Sequence, residues 1–510
     1  MTVKHSMSFL CIVLIIVMFI QCDRRESTQS GESKIIVAYP GDETIFNHEY
    51  WGYEATYLMF IPLFDWDEFG DLQPALAERW EHSPDYREWT YYLRKDVRWH
   101  DGMPVTAHDI KFSMDMRAKL KGHESAVEVI DDYTCRVIFN RPKDRMNTYD
   151  LEAFYPKHLL ENLDLEDFYE WDFWSHPVGN GPYRYVRHMP KIMVELEANP
   201  EYFRGKPKID RVVLKFTNNI IPELMSGSID AAEFFDRSDV LKLKGDDRFR
   251  SYYSWANQVT SIYWNHNHPL FRNKEIRRAL TMAINRVELS GLLNYPDDVP
   301  ILDTITTWRQ FRKGVYPDPL PNDPDQARKI LEKHGWRDTN GDGIREREGK
   351  EFHFSALISS SLPGSKESAI YVQDQFRRIG VRMEIQLLDE LFIMQRIQTG
   401  DFEALFFLVE GTLTHPRYGD AKLFGKESPL GYKNPEIIRL LDMALLEMDP
   451  DKLDSIYKKI MPIFVEDMPM TFLLPRVFST IAHRRIKGLK NLERIFPIWE
   501  LEHLWIEEKE

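Results

Sequence analysis

Residues 72–115 read LQPALAERWEHSPDYREWTYYLRKDVRWHDGMPVTAHDIKFSMD, and more of the architecture follows from them than from any other segment. Pro74–Trp80 has the composition of a short helical turn leading into a hairpin. Glu88–Leu93 alternates aromatic and polar residues at period two, the pattern of a half-buried strand. His100-Asp101-Gly102-Met103-Pro104 supplies turn and breaker residues. Thr106 is then placed to cap a helix starting at Ala107-His108-Asp109, where the early acid suits the positive end of the helix dipole.

Upstream, Lys4 precedes an unbroken apolar run, Phe9–Ile20, followed by Gln21-Cys22. A spanning helix needs roughly 20 apolar residues, so this run fits the core of a secretory signal instead. Asp23–Ser33 is polar. The arrangement resembles a bacterial lipoprotein, with cleavage before Cys22 and lipid on its thiol; the alternative is plain secretion with Cys22 unmodified. Three cysteines are present, Cys11, Cys22 and Cys135. Cys135 is left alone in a mature domain, so no internal disulfide is available and packing must supply stability. It lies in the strand-like Tyr133–Phe139 and reads as a buried small residue.

The 510 residues suffice for two or three domains. Acidic residues number 81 against 66 basic, a net charge of −15, which argues against nucleic acid as a partner. No cofactor motif is present: there is no Gly-rich phosphate loop, GxSxG or HExxH. Paired carboxylates occur by chance at this composition, so nothing in the chain singles out a catalytic constellation.

Leu76, Ala77, Glu78, Trp80, Leu93, Arg94, Val97, His100, Asp101, Gly102, Pro104, Thr106, Ala107 and Asp109 fall on a long pattern. It resembles the extracellular solute-binding proteins, family 5, of peptide and nickel ABC importers. The likeness continues in Val178-Gly179-Asn180-Gly181-Pro182-Tyr183, similar to that family's GTGPY turn. The glycines there are expected to allow a backbone geometry that other residues resist. It continues in Asn199–Asp210, in Leu224–Ala231, and in Glu275–Arg286 (EIRRALTMAINR), an amphipathic helix with Asn285 where aspartate is usual. Further helices are expected at Asp325–Gly335, at Lys366–Ile379 with Ser365 as cap, and over Asn434–Val465. Strands are expected at Lys34–Ala38, Val194–Leu196, Val381–Leu387 and Phe472–Leu474, with a helix at Tyr53–Phe64.

The resemblance implies an α/β, two-lobed periplasmic binding protein, type II-like, cluster C, with an extra subdomain inserted in lobe one. The implied division is signal 1–21, lipidated cysteine and linker 22–33, lobe one 34–55 with 175–262 and 475–510, inserted subdomain 56–174, and lobe two 263–474. It implies a binder rather than an enzyme, closing by hinge motion on a peptide-like or other small solute and handing it to ABC permease subunits. It would sit at the cell surface or in the periplasm, anchored through lipid.

Leu405–Tyr418 (LFFLVEGTLTHPRY) carries the main departure. Peptide-binding relatives have W..DY..P there, whose aspartate pairs with the peptide amino group. Alignment on Pro416 puts Thr412 at that aspartate and Val409 at the tryptophan. Glu410, two residues earlier and on the same strand face as Thr412, is the candidate replacement. Arg417 is a candidate for a ligand carboxylate, against the reading of a surface charge. Asn257 and Tyr263, on the crossover between lobes, and Glu43, in the loop after the first strand, complete the set.

Other readings stay open. His266 and His268, spaced i and i+2, would share one face of a strand and suit nickel, copper or zinc, with His415 nearby in sequence to the binding loop; the plain reading is a solvated loop before Pro269. That would be a metal-chelate or haem binder on the same fold. A sensor or adhesin lipoprotein without transport is another alternative. Asp338, Asn340, Asp342 and Gly343 match the front of a calcium loop, but its twelfth position is Gly349 and Ile344 comes one place early; a bare turn is the favoured reading. His100 with Asp101, and His108 with Asp109, fall on turns and are read as structural.

Overall fold

The computed structural model describes residues 32–39, 53–67, 69, 71–121, 125–140, 142, 153–234, 240, 242–243, 245–360, 364–410, 416–489 and 501–507. Lys34–Tyr39 pairs in parallel with Arg211–Phe216 and with Ala231–Phe234. This trio opens a large mixed sheet. Among the described residues ten strands join it, in the order Arg382–Leu388, His353–Ser359, Ala404–Glu410, Phe249–Trp264, Met470–His483, Ala231–Phe234, Lys34–Tyr39, Arg211–Phe216, Met193–Ala198 and Tyr183–Met189. The two long central strands, 16 and 14 residues, run through both lobes.

Strand alternation explains how lobe two is filled on both faces of this sheet. Tyr263 and Leu405 enter one core with Leu440, Tyr457 and Phe464. Ile262, Trp264, Ala404 and Phe406 enter another with Leu280, Phe354 and Phe376. Such strands have no solvent face, which is why LFFLV reads as a continuous apolar run. Lobe one and the inserted subdomain instead share a single core, from Ile35 and Leu214 through Tyr91, Trp99 and Phe154 to Leu504. The subdomain carries its own four-stranded sheet, Ala77–His82, Glu88–Leu93, Thr134–Phe139 and Ser125–Asp131. Cys135 is fully buried there, opposite Tyr91, and burial pushes its thiol up to about 12.

Three local expectations are corrected. Pro74–Trp80 is not helical: Leu72–Pro74 and Ala77–His82 are strands. Leu76 and Ala77 donate their N–H groups to the carbonyls of Pro62 and Leu63 at 3.1 and 2.7 Å, and this tertiary pairing overrides the helical preference of Ala-Leu-Ala-Glu. The hairpin therefore lies one element upstream, between Ala77–His82 and Glu88–Leu93, turning at Tyr86 with φ 55°. Ser365 is inside its helix, Ser365–Arg378, and the cap position belongs to Gly364 in the left-handed region with no side-chain bond. The EIRRALTMAINR helix stops at Ala283, and Asn285 caps a second one, Arg286–Leu292, accepting from the Glu288 N–H at 3.0 Å. An asparagine oxygen serves at that cap as an aspartate would. By contrast Thr106 does head Ala107–Lys121, with the Asp109 carboxylate reaching back to the Thr106 N–H at 2.8 Å.

The glycines of VGNGPY are needed for room rather than for backbone freedom. Neither has a positive φ. A Cβ on Gly179 would stand 2.0 Å from the Met59 carbonyl oxygen, and one on Gly181 would stand 2.6 Å from the Leu58 oxygen. The turn closes over the end of helix Tyr53–Met59, whose Met59 carbonyl accepts from both Asn180 and Gly181 N–H, while Asn180 Oδ1 accepts from Ile61 N–H at 2.9 Å. Gly179→Ala should lower unfolding free energy by about 1–3 kcal/mol or more in urea titration, since backbone cannot give way as a side chain can. Gly291→Ala, a helical glycine with open space around its Cβ, should be neutral or stabilising by up to about 1 kcal/mol in the same assay.

Candidate ligand cleft

The site is organised by a break in the ladder between the two long strands. Residues Phe249–Trp255 pair with His483–Val477, and Val259–Tyr263 pair with Pro475–Met470. Between Trp255 and Val259 one strand advances four residues while its neighbour advances two. Extra residues of this kind bend a strand and end its pairing locally. On the lobe-one side, residues 479–482 also pair with Ala231–Phe234. On the lobe-two side, residues 258–264 pair with Ala404–Glu410. The irregularity therefore falls where both strands pass from one lobe to the other.

Backbone register gathers several polar residues at this passage. Asn257 lies within the bulge, and Gln258 stands opposite Glu410, the last residue of its strand. Arg476, on the other neighbouring strand, donates from Nη1 to Gln258 Oε1 at 2.7 Å. Its guanidinium also lies 5.3 Å from the Phe478 ring centre. Sequence reasoning did not select Arg476, because it sits in a stretch that reads only as a returning strand. Tyr263 is 2% exposed and belongs to the lobe-two core, its hydroxyl donating to the Leu408 carbonyl at 3.2 Å. Its ring meets Phe407 edge-on at 6.4 Å. Glu43, Thr412, His415 and Cys22 lie outside the described residues, and Arg417 is described only as part of helix Pro416–Phe424.

A second contact zone joins the inserted subdomain to lobe two. Trp80, His82, Tyr86 and Trp89 on the subdomain hairpin face Met448, Asp449 and Pro450, at the start of helix Pro450–Asp467, across a cavity of about 210 Å³. His82 stacks on Tyr86 with ring centres 4.2 Å apart. Nearby, Arg309 reaches Asp71 at 3.6 Å and Lys313 lies over the Phe69 ring at 5.2 Å.

The histidines are held by other work. Phe249–Trp264 ends before His266, so His266 and His268 lie on a turn rather than on one strand face. His266 Nε2 meets the Pro469 carbonyl at 2.8 Å, and burial, helped by Arg277, pulls its value down to about 3. His268 pairs with Glu403 at 3.2 Å. His100 binds Gly181 O through Nε2 at 3.1 Å and accepts the Gly179 N–H on Nδ1 at 3.2 Å. Asp101 pairs with His158, His108 with Asp132, and Asp109, in the first turn of its helix, accepts the Thr106 N–H. Asp338, Asn340 and Asp342 lie on a separate turn, between helix Pro324–Lys333 and the short pair Glu346–Arg347 and Lys350–Glu351.

Comparison with known proteins adds a family, two relatives and two solved structures. The sequence model described as bacterial extracellular solute-binding proteins, family 5 Middle, matches residues 71–424. The oligopeptide-binding protein AppA of Bacillus subtilis is 26% identical over 540 aligned positions, covering 96% of this chain and 98% of the relative. Its structure in complex with a nonapeptide superposes with a TM-score of 0.64 at 24% identity, over 94% of this chain and all of that one. Heme-binding protein A of Haemophilus influenzae is 23% identical, over 82% of this chain and 81% of its own. NikZ of Campylobacter jejuni, in complex with Ni(L-His), shares the fold with a TM-score of 0.68 at 23% identity, over 92% and 99% of the two chains.

The two buried histidines set an acid limit on this fold. Burial draws His100 down to about 4, so both rings stay neutral in the folded chain where an unfolded histidine, near 6.5, takes a proton. Their contribution is complete above pH 6.5 and is lost as pH falls from there toward 4 and 3. Each should add about 1.4 kcal/mol of lost stability per pH unit within that window. Urea midpoints between pH 7 and 4.5 should show this slope, and His266→Gln should flatten it.

Proposed function

The chain belongs to the bacterial extracellular solute-binding proteins of family 5, and from that premise we propose that it captures a peptide-like or other small solute between its lobes and delivers it to ABC permease subunits. The observation that carries this reading is the pair of long strands with an irregular passage between lobes, the form a hinge takes when two rigid bodies close on a ligand. The family is one of binding proteins, and the reading assigns no bond-making step to the chain. ATP hydrolysis falls to a separate subunit.

In this reading Asn257, Glu410 and Thr412 contact the ligand near the passage, Arg417 from the start of helix Pro416–Phe424 and Glu43 from the loop after the first strand, and Tyr263 backs the floor through its bond to the Leu408 carbonyl. Arg476 joins them as a cation for a ligand carboxylate. Glu410 takes the part of the aspartate missing at Thr412, and the register that sets it opposite Gln258 supports that assignment. The bound nonapeptide in AppA supports a peptide-like ligand. NikZ with its nickel–histidine complex keeps a metal chelate as the second reading, and metal analysis of protein purified without chelators separates the two.

Mass spectrometry of whatever denatured protein releases should name the ligand. For a ligand bearing an amine, Glu410→Gln should weaken binding roughly ten- to a hundredfold by calorimetry, the worth of a buried charge-assisted bond of about 1.5–3 kcal/mol. Unchanged affinity would remove Glu410 from the site and shift attention to Arg417 and Arg476.

The reading also includes a lipid anchor on Cys22, at the end of the apolar run Phe9–Ile20. Among the described residues no helix is long and apolar enough to cross a membrane. Cys22→Ala should abolish labelling by a palmitate analogue and leave the precursor uncleaved; labelling that survives the change would refute the anchor.

A further inference from the structure

We propose that Asp338, Asp342 and Glu346 form a binding site for a hard divalent cation, calcium in the first place, on the turn that follows helix Pro324–Lys333. One oxygen from each carboxylate lies within 4.8 Å of the others. Three negative charges held that close repel one another unless a cation sits among them. Among the described residues no ion pair engages any of the three. Two neighbouring arginines are committed elsewhere: Arg345 to Glu332 and to the Trp336 and Ile379 carbonyls, Arg347 to the face of the Trp336 ring at 4.7 Å.

The observation that points to a ligand is the state of Glu346. Its side chain is turned into the cluster and the residue is 9% exposed. Oε2 accepts from Thr339, from the N–H at 2.8 Å and from the hydroxyl at 2.9 Å. Oε1 is buried and has no hydrogen-bond partner. A buried carboxylate oxygen left unsatisfied is costly, and a cation held between the three carboxylates would relieve their mutual repulsion and give the Glu346 carboxylate a further partner.

The rest of the turn is already ordered around the site. Asp338 accepts from Gly341 N–H at 2.7 Å and Gly343 N–H at 3.0 Å, and Asp342 from Ile344 N–H at 2.8 Å. Each of these oxygens keeps a second lone pair. Gly343, at φ 86°, turns the chain back toward Glu346. The spacing Asp338, Asn340, Asp342, Gly343 is that of the first six positions of a calcium loop. The carboxylate expected at the twelfth position, where Gly349 stands, is supplied three places earlier by Glu346, brought in because residue 346 pairs back with Arg337. Oxygen-only donors without His or Cys exclude a preference for zinc, copper or nickel. Asp338 and Asp342 are exposed, which leaves room for the waters that complete six to eight ligands around calcium. A bound ion would pin the helix end to the short pair Glu346–Arg347 and Lys350–Glu351, on the rim of lobe two.

The test uses the full-length protein with calcium alone. Calorimetry should give one ion per chain with Kd in the range of about 10⁻⁴–10⁻³ M, typical of extracellular calcium sites. Terbium bound there should show emission sensitised by Trp336, two residues before Asp338, and calcium should quench it by competition. The melting temperature should rise with calcium and not with sodium chloride of equal ionic strength. Glu346→Gln should weaken the affinity at least about tenfold, roughly one charge-assisted contact, and Asp342→Asn, at an exposed position that folding does not need, provides the same readout. Absence of saturable binding up to about 10 mM calcium, far above such affinities, would overturn the proposal. So would a melting shift that sodium chloride reproduces, or an affinity unaltered by either substitution.

Discussion

The backbone ladder between Phe249–Trp264 and Met470–His483 carries the whole molecule, because these are the strands that belong to both lobes. Their ladder is regular over Phe249–Trp255, breaks between Trp255 and Val259, and shifts once more between Thr260 and Ser261. A sheet that is stiff within each lobe and loosened at one crossing allows rotation without unpacking either core. The large apolar clusters are separate on the two sides of that crossing, so movement there leaves Tyr91 and Trp99 on one side, and Tyr457 and Phe464 on the other, in their own packing.

The polar content of the molecule is divided along the same line. Deep in the lobes, charged and titratable side chains are matched internally: Arg286 with Asp303, the Asp420 carboxyl with the Tyr457 hydroxyl, Arg277 with the carbonyls of Phe271 and Met468. Burial pushes the Asp420 carboxyl well above the usual carboxylate range, against the opposing effect of the Tyr457 hydroxyl that donates to it. Such groups fix the packing of a lobe. At the crossing, by contrast, backbone register sets Gln258 opposite Glu410, and Arg476 from the third strand reaches Gln258 by a side-chain hydrogen bond.

Much of this was legible in the sequence, for identifiable reasons. Helices with one apolar face, such as that of Ile276, Ala279 and Leu280, were found by periodicity, and the strand Lys34–Tyr39 by its apolar run. Ala77-Glu78-Arg79-Trp80 is a strand against its own helical preference because it pairs with Glu88–Leu93 and because Leu76 and Ala77 bond to residues 62 and 63. The glycines of the VGNGPY turn were found, but their reason was not, since the Met59 carbonyl they make room for is 120 residues away in sequence. Arg476 was missed altogether: a lone arginine in FLLPRVFS gives no periodic or motif cue, and only its pairing with Gln258 distinguishes it. The carboxylate cluster was half visible, through its spacing, while Glu346 entered it by a backbone pairing that spacing cannot show.

The strand order also fixes when the molecule can be completed. Ala231–Phe234 and Phe249–Trp264 are close in sequence but are not neighbours in the sheet; Met470–His483 lies between them and pairs with both. Until the chain has been made or threaded past residue 470, each half of the sheet ends in an open edge with unpaired N–H and C=O groups. The lobes can begin to assemble separately, but their connection waits for the last long strand to slide into the gap. A nascent or translocating chain of this topology therefore carries two sticky edges for most of its length, and its need for protection from aggregation is greatest just before it is finished.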